Sequence, residues 1–206
     1  MAHVFAKNMG LLYSEMKEFD KALAWMDAVI AEFPRNTDLL YTKGGIYENK
    51  GDHKAAMETY MACARSNPYH TRTHLRLSAL AVNEGALAQA AMSQFYYLYI
   101  TDGGEEATNA LAWVNEFLRG SIKAEPKGLT IPGRDNYAEL DLLIENRIAM
   151  STSYKAYKGL MLAFARQYHL IVDQLAKDPP TGDFWSDYYL PIFLQFRTEG
   201  LEEGWM

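Results

Sequence analysis

The sequence predicts an all-α fold, a superhelix (solenoid) of helix–turn–helix units followed by additional C-terminal helices, and three observations carry that expectation. Apolar and small residues recur at helical spacing, with Leu40, Gly44 and Tyr47 in one stretch and Ala56, Tyr60 and Cys63 in the next. The pattern returns at one fixed offset along the chain: Gly10 precedes Gly44, Tyr13 precedes Tyr47, Pro34 precedes Pro68, and Ala22, Ala56 and Ala90 form a series. Convincing runs of strand-type alternation do not occur.

The unit is clearest over 37–70. Gly51-Asp52 breaks it into two halves and Pro68 ends the second helix. Gly44 and Ala56, small residues at the middle of facing stripes, let two antiparallel helices approach closely. On these residues the chain resembles the tetratricopeptide repeat family, whose period and small/aromatic/Ala/Pro signature it shares. The resemblance covers 3–104 as three repeats, 3–36, 37–70 and 71–104. In the third, Ser78 stands in for the glycine, Ala81 for the tyrosine and Asp102 for the proline, while Ala6, Leu40 and His74 replace the tryptophan that opens many family repeats. The resemblance implies a non-enzymatic scaffold for protein–protein interaction that binds a peptide or partner segment in a concave groove.

Taken in order, the first helix is expected over 3–16. It has no capping residue just before it, so either the chain is a piece of a longer array or something packs on the first repeat. The second helix is expected over 19–33, and Thr37 or Asp38 can cap the third. Thr71 opens a helix to about residue 83, Glu84-Gly85 turns the chain, and 87–100 returns. That segment ends in Phe95-Tyr96-Tyr97-Leu98-Tyr99, apolar or aromatic on every side, so both its faces need cover.

Residues 105–206 are expected to continue or cap the superhelix. A helix over 105–122 starts a degenerate fourth repeat, and its acidic first turn suits the helix dipole. Pro126, Gly128, Pro132 and Gly133 mark 123–135 as a connection that is either mobile or folded over a surface. Helices follow over 136–149 and, capped by Ser151 or Ser153, through Tyr157, Leu160, Met161, Phe164, Tyr168, Ile171 and Leu175 until Pro179-Pro180 stops them. Near the end, Pro191 requires a kink or a new helix.

Composition narrows the function. At 206 residues and 49% hydrophobic the chain can bury a sizeable core, and a net charge of −6 opposes sequence-independent nucleic-acid binding. No run has the length of a membrane helix and no signal peptide precedes the first repeat, so the default compartment is the cytoplasm. The single Cys63 excludes an intramolecular disulfide and reads as a buried structural thiol. His70 and His74 lack the convergent ligands a metal needs, and His169 sits among apolar neighbours. No nucleophile elbow, nucleotide loop or cofactor motif appears, so neither an enzyme nor a bound cofactor is expected.

The candidate binding site lies on the first helices of the three repeats: Lys7, Asn8 and Leu11, then Tyr41, Thr42 and Asn49, then Arg72, Arg76, Ala79 and Asn83. Chaperone-adaptor members of the family grip a C-terminal carboxylate with basic residues and asparagines there. Lys7, Arg72 and Arg76 match the basic members, and Leu11 and Thr42 replace the asparagines. The expected partner is therefore a protein or peptide with an acidic side chain or a C-terminal carboxylate. A competing reading pairs Asp38 with Arg72 or Arg76 across neighbouring repeats. A rival function is a structural subunit that self-associates through Trp185, Tyr188, Tyr189, Phe193 and Phe196, which would be a homodimer; if they close a core the chain is a monomer.

Overall fold

A computed structural model describes residues 2–101, 103–122, 124–151, 154 and 163–199. The expectations for Asp102, Ser153, Tyr157, Leu160 and Met161 lie outside these residues. Among the described residues the protein is all-helical, with no strand. Two compact units part between Leu80 and Ala81, within one continuous helix.

The first unit, Met1–Leu80, holds α1 (Ala2–Glu15), α2 (Phe19–Glu32), α3 (Thr37–Lys50), α4 (His53–Ser66) and most of α5 (Thr71–Asn83). Each helix pairs with the next, α1 with α2 and α3 with α4, and α3 also packs on α1 and α2. Ala6, Ala22, Met26, Val29, Leu39 and Ile46 form the shared core of α1, α2 and α3.

The turns repeat as faithfully as the residues. After α1, Lys17 N–H donates to the Ser14 carbonyl and Glu18 N–H to that of Tyr13. After α3, Gly51 and Asp52 donate to Glu48 and Tyr47, and after α5, Gly85 and Ala86 donate to Val82 and Ala81. Lys17, Gly51 and Gly85, which hold the same place in successive repeats, all adopt positive φ, 60°, 85° and 71°. This is the left-handed helix ending that satisfies the orphan carbonyls of the last turn.

The glycines of α1 and α3 lie at close crossings with the next helix. They seat large side chains: a Cβ on Gly10 would lie 2.6 Å from the Met26 sulfur, and one on Gly44 would collide with the Tyr60 ring. Neither Thr37 nor Asp38 caps α3. Asn36 occupies that position without a side-chain bond, and Thr37 is the first helical residue.

The second unit, Ala81–Met206, is built on α6 (Leu87–Ile100). Residues 88–97 are all buried, and α6 is covered within this unit by α7 (Gly104–Leu118), α8 (Ala138–Glu145) and α10 (Phe184–Tyr188). Helix α7 stops earlier than its apolar pattern suggests, because Gly120 takes a φ of 69° and closes the helix with a bond to Phe117. Helix α8 is likewise shorter than 136–149. Its first turn is a 3-10 helix, Arg134–Tyr137, and Arg147 at φ 52° ends it, leaving Ile148 exposed.

The 123–135 connection folds over a surface. Lys127 N–H donates to the Glu84 carboxylate, the Gln89 amide donates to the Pro132 carbonyl, and Ile131 is buried. Helix α9 (Ala163–Lys177) buries Phe164, Tyr168, Ile171 and Leu175 and stops before Pro179-Pro180. A new helix, α11 (Leu190–Glu199), carries Pro191 in its first turn, where a missing N–H costs nothing.

Candidate functional site

Helices α1, α3 and the start of α5 bring most of the candidate residues onto the first unit. Tyr41 on α3 is half-buried, its ring 5.6 Å from Tyr60 and 5.1 Å from His70. The Arg72 guanidinium lies 4.9 Å over that ring and 3.3 Å from the Asp38 carboxylate. Asp38 and Arg72 are separated by one repeat length, so equivalent positions of neighbouring repeats are paired.

Asp38 is the hub of this surface. His70 Nε2 lies 3.2 Å from the same carboxylate oxygen, and His70 Nδ1 lies 2.7 Å from the Thr73 hydroxyl. A carboxylate only accepts, so Nε2 carries the proton of this bond. The His70 hydrogen bond, joined by the charges of Arg72 and Lys7, holds the Asp38 carboxyl below the usual carboxylate range. Behind it, Cys63 Sγ lies 3.0 Å from the Thr73 hydroxyl and 3.6 Å from the Thr37 carbonyl, and burial pushes the thiol up to about 11. A buried, protonated thiol is a poor nucleophile at neutral pH.

Arg76 does not reach Asp38. Its guanidinium lies 3.8 Å from the Glu48 carboxylate on α3, which is 22% exposed. Thr42 is buried, and its hydroxyl donates to the Asp38 carbonyl one turn back in α3 at 2.7 Å, so its side chain is withdrawn from solvent. Asn49 is exposed and its amide donates to the Ser14 hydroxyl on α1 at 3.1 Å. Lys7 is half-buried, Asn8 is exposed and Leu11 is 39% exposed. Ala79 is half-buried. Asn83, also half-buried, belongs to the second unit.

Sequence reasoning missed His70 and Glu48. His70 replaces Asn36 of the preceding repeat in the loop between helices, and that break in the pattern was its only signal. Burial pushes the neighbouring His74 down to about 4, and its Nε2 lies 2.8 Å from the Pro68 carbonyl. Among the described residues no three His, Cys, Asp or Glu side chains gather to hold a metal, and no helix is long and apolar enough to cross a membrane.

The C-terminal aromatic residues lie inside the second unit. Trp185, Tyr189 and Phe193 are buried, so the expected self-association surface does not contain them. The Trp185 indole donates to the Ser93 hydroxyl of α6 at 2.8 Å, and Tyr189 packs 5.3 Å from Tyr96. Tyr188 and Phe196 keep partial exposure, stacked on Phe184 and lying against Tyr99 respectively.

The paired helices, the left-handed turn at Gly51 and the Gly44–Tyr60 seat coincide with the segment, 37–70, that the sequence model of the tetratricopeptide repeat matches. Over residues 37–70 the chain matches the tetratricopeptide repeat. No curated protein sequence and no solved structure matches the chain. Tetratricopeptide repeats are protein-interaction scaffolds, and their function is generally binding rather than catalysis.

Proposed function

We propose that the first unit is a non-enzymatic module whose surface of Lys7, Leu11, Tyr41, Asn49, Arg72 and Arg76 binds a peptide segment carrying an acidic side chain or a C-terminal carboxylate. The observation that supports this reading is the exposed Arg72 guanidinium, seated over the Tyr41 ring and held against the exposed Asp38 carboxylate. A ligand carboxylate replaces Asp38 at Arg72 with little net change, because exposed ion pairs contribute only ~0.2–1 kcal/mol. Tyr41 and Leu11 supply the apolar contact that charge cannot, and binding is in the micromolar range or so and weakened by salt.

The test is titration of fluorescein-labelled acidic C-terminal peptides against the full chain, Arg76→Glu and Asp38→Ala. Asp38→Ala removes the internal competitor and tightens binding, whereas Arg76→Glu weakens it and flattens its salt dependence. Unchanged affinity and salt dependence in Arg76→Glu, with lowered stability, makes the arginine a partner of Glu48 alone and overturns the reading.

A further inference from the structure

The cluster around Asp38 contains a group that peptide binding leaves idle. His70 Nε2 and the Arg72 guanidinium lie 3.2 Å and 3.3 Å from one and the same carboxylate oxygen of Asp38, Oδ1. Both also lie against the Tyr41 ring, the imidazole at 5.1 Å and the guanidinium at 4.9 Å. Two donors thus share one acceptor on the surface where Arg72 meets a ligand carboxylate. The charge carried by His70 therefore bears on how firmly Asp38 holds Arg72.

The residues behind the imidazole let it take a second proton in place. In the neutral ring Nε2–H donates to Asp38, and the bare Nδ1 accepts from the Thr73 hydroxyl at 2.7 Å. Thr73 in turn accepts from the Cys63 thiol at 3.0 Å. On protonation of the ring, the two bonds behind it reverse without a heavy atom moving. Nδ1–H donates to Thr73, the Thr73 hydroxyl turns to the Cys63 sulfur, and the thiol turns to the Thr37 carbonyl, 3.6 Å away. Every polar hydrogen of this relay keeps a partner in both states, so no orphaned buried donor opposes the proton. Solvent reaches the ring, whose side chain is 12% exposed and lines a cavity of about 600 Å³ with Phe33, Asn36 and Asn67.

Histidine is the side chain whose charge ordinarily changes between pH 5 and 8. The other described groups facing His70 hold theirs over that range. Asp38 is kept below the usual carboxylate range, and burial keeps His74 down at about 4 and the Cys63 thiol up at about 11. Arg72, Lys7 and Arg35 are cations and Tyr41 a neutral phenol throughout.

We propose that His70 is a proton-controlled switch on the acidic-peptide site: once protonated, it takes over the Asp38 carboxylate and releases the Arg72 guanidinium to a ligand carboxylate. This rests on the function proposed above and adds its regulation, binding that tightens as pH falls. Thr73 and Cys63 act as positioning residues, since they meet the ring and not the ligand.

The probe is a rhodamine-labelled peptide ending in Leu-Ala-Asp, whose carboxyls stay ionised well below neutrality. It is titrated by fluorescence anisotropy against the full chain, His70→Gln and Asp38→Ala at about pH 7.5 and about pH 5.5, at fixed ionic strength. The wild type is expected to bind about three- to fivefold tighter at the lower pH, as the release of one exposed ion pair allows. His70→Gln binds alike at both. Asp38→Ala already binds at the higher pH as the wild type does at the lower, because its Arg72 is free. Imidazole nitrogen shifts of the wild type at the higher pH show the proton of His70 on Nε2. A proton found on Nδ1 overturns the relay and the proposal with it. Wild-type affinity that does not change with pH overturns the proposal and leaves the peptide site standing, whereas absence of binding at both pH values overturns the two together. A gain that survives in His70→Gln also overturns it, and passes the pH dependence to another titrating group.

Discussion

The carboxylate of Asp141, on α8, accepts the backbone N–H of Ala88 in the first turn of α6 at 2.7 Å. The residue at the N-cap of α6 is Ala86, which has no side chain able to do this. An acid far downstream in the chain caps the helix in its place. Burial pushes the Asp141 carboxyl up to about 6. A raised acid favours the folded state fully below the unfolded value near 3.8, and that contribution is lost as pH rises through about 6. Asp141→Asn keeps an acceptor for Ala88 and removes the titration. Urea melts between about pH 4 and pH 7 should show the wild type losing on the order of 2 kcal/mol relative to the variant. Parallel pH profiles would mean that Asp141 is as well solvated folded as unfolded.

Lys17 occupies, at φ 60°, the left-handed position that Gly51 and Gly85 fill in the next two turns. A side chain there costs about 1 kcal/mol that glycine avoids. Lys17→Gly should raise the stability of the first unit by about that amount, visible as a higher melting temperature. The reciprocal Gly51→Ala should lower it similarly, and equal melting of both variants with the wild type would contradict the turn geometry.

Gly44 lies against the Tyr60 ring, and the ring is itself packed on Tyr41. A methyl group at position 44 displaces Tyr60, so Gly44→Ala should destabilise by about 1–3 kcal/mol in chemical denaturation. Tyr60→Leu combined with Gly44→Ala should recover part of the loss. Strict additivity of the two would show that they do not touch.

Trp185 ties α10 to α6 through Ser93 and is fully buried. Trp185→Ala should cost roughly 3–5 kcal/mol. Trp185→Phe, which keeps most of the apolar area and loses the hydrogen bond, should cost less, around 1–2 kcal/mol. Light scattering should show the same oligomeric state for wild type and Trp185→Phe. A change of state would restore Trp185 to a subunit interface.

Much of the helical order was legible because Gly10, Gly44, Ala22, Ala56 and Ala90 repeat at one period, and a small residue at a close crossing leaves a mark on composition. Pro179 and Pro191 were legible for a related reason, since a missing N–H restricts what the backbone can do. The candidate surface was harder. As an off-stripe residue of a first helix Thr42 reads as part of the groove, yet its side chain is buried and its hydroxyl bonds the carbonyl of Asp38 one turn back. Arg76 could not be assigned to Glu48 from spacing, because the two sit at different places in their repeats and only the crossing of α3 and α5 brings their side chains together. The burial of Trp185 was one of two open readings, as a short aromatic segment reads alike whether it closes a core or waits for a partner.

Cys63 gives the first unit a built-in clock. It is the chain's single thiol, it is buried between the Thr37 carbonyl and the Thr73 hydroxyl, and burial keeps it protonated. An alkylating reagent meets it only when α3, α4 and α5 momentarily separate. The rate of labelling therefore counts those openings, and its dependence on urea tells a local fraying from a global one. One cysteine, placed where the repeat usually has a small side chain, lets the breathing of neighbouring repeats be timed without adding a probe.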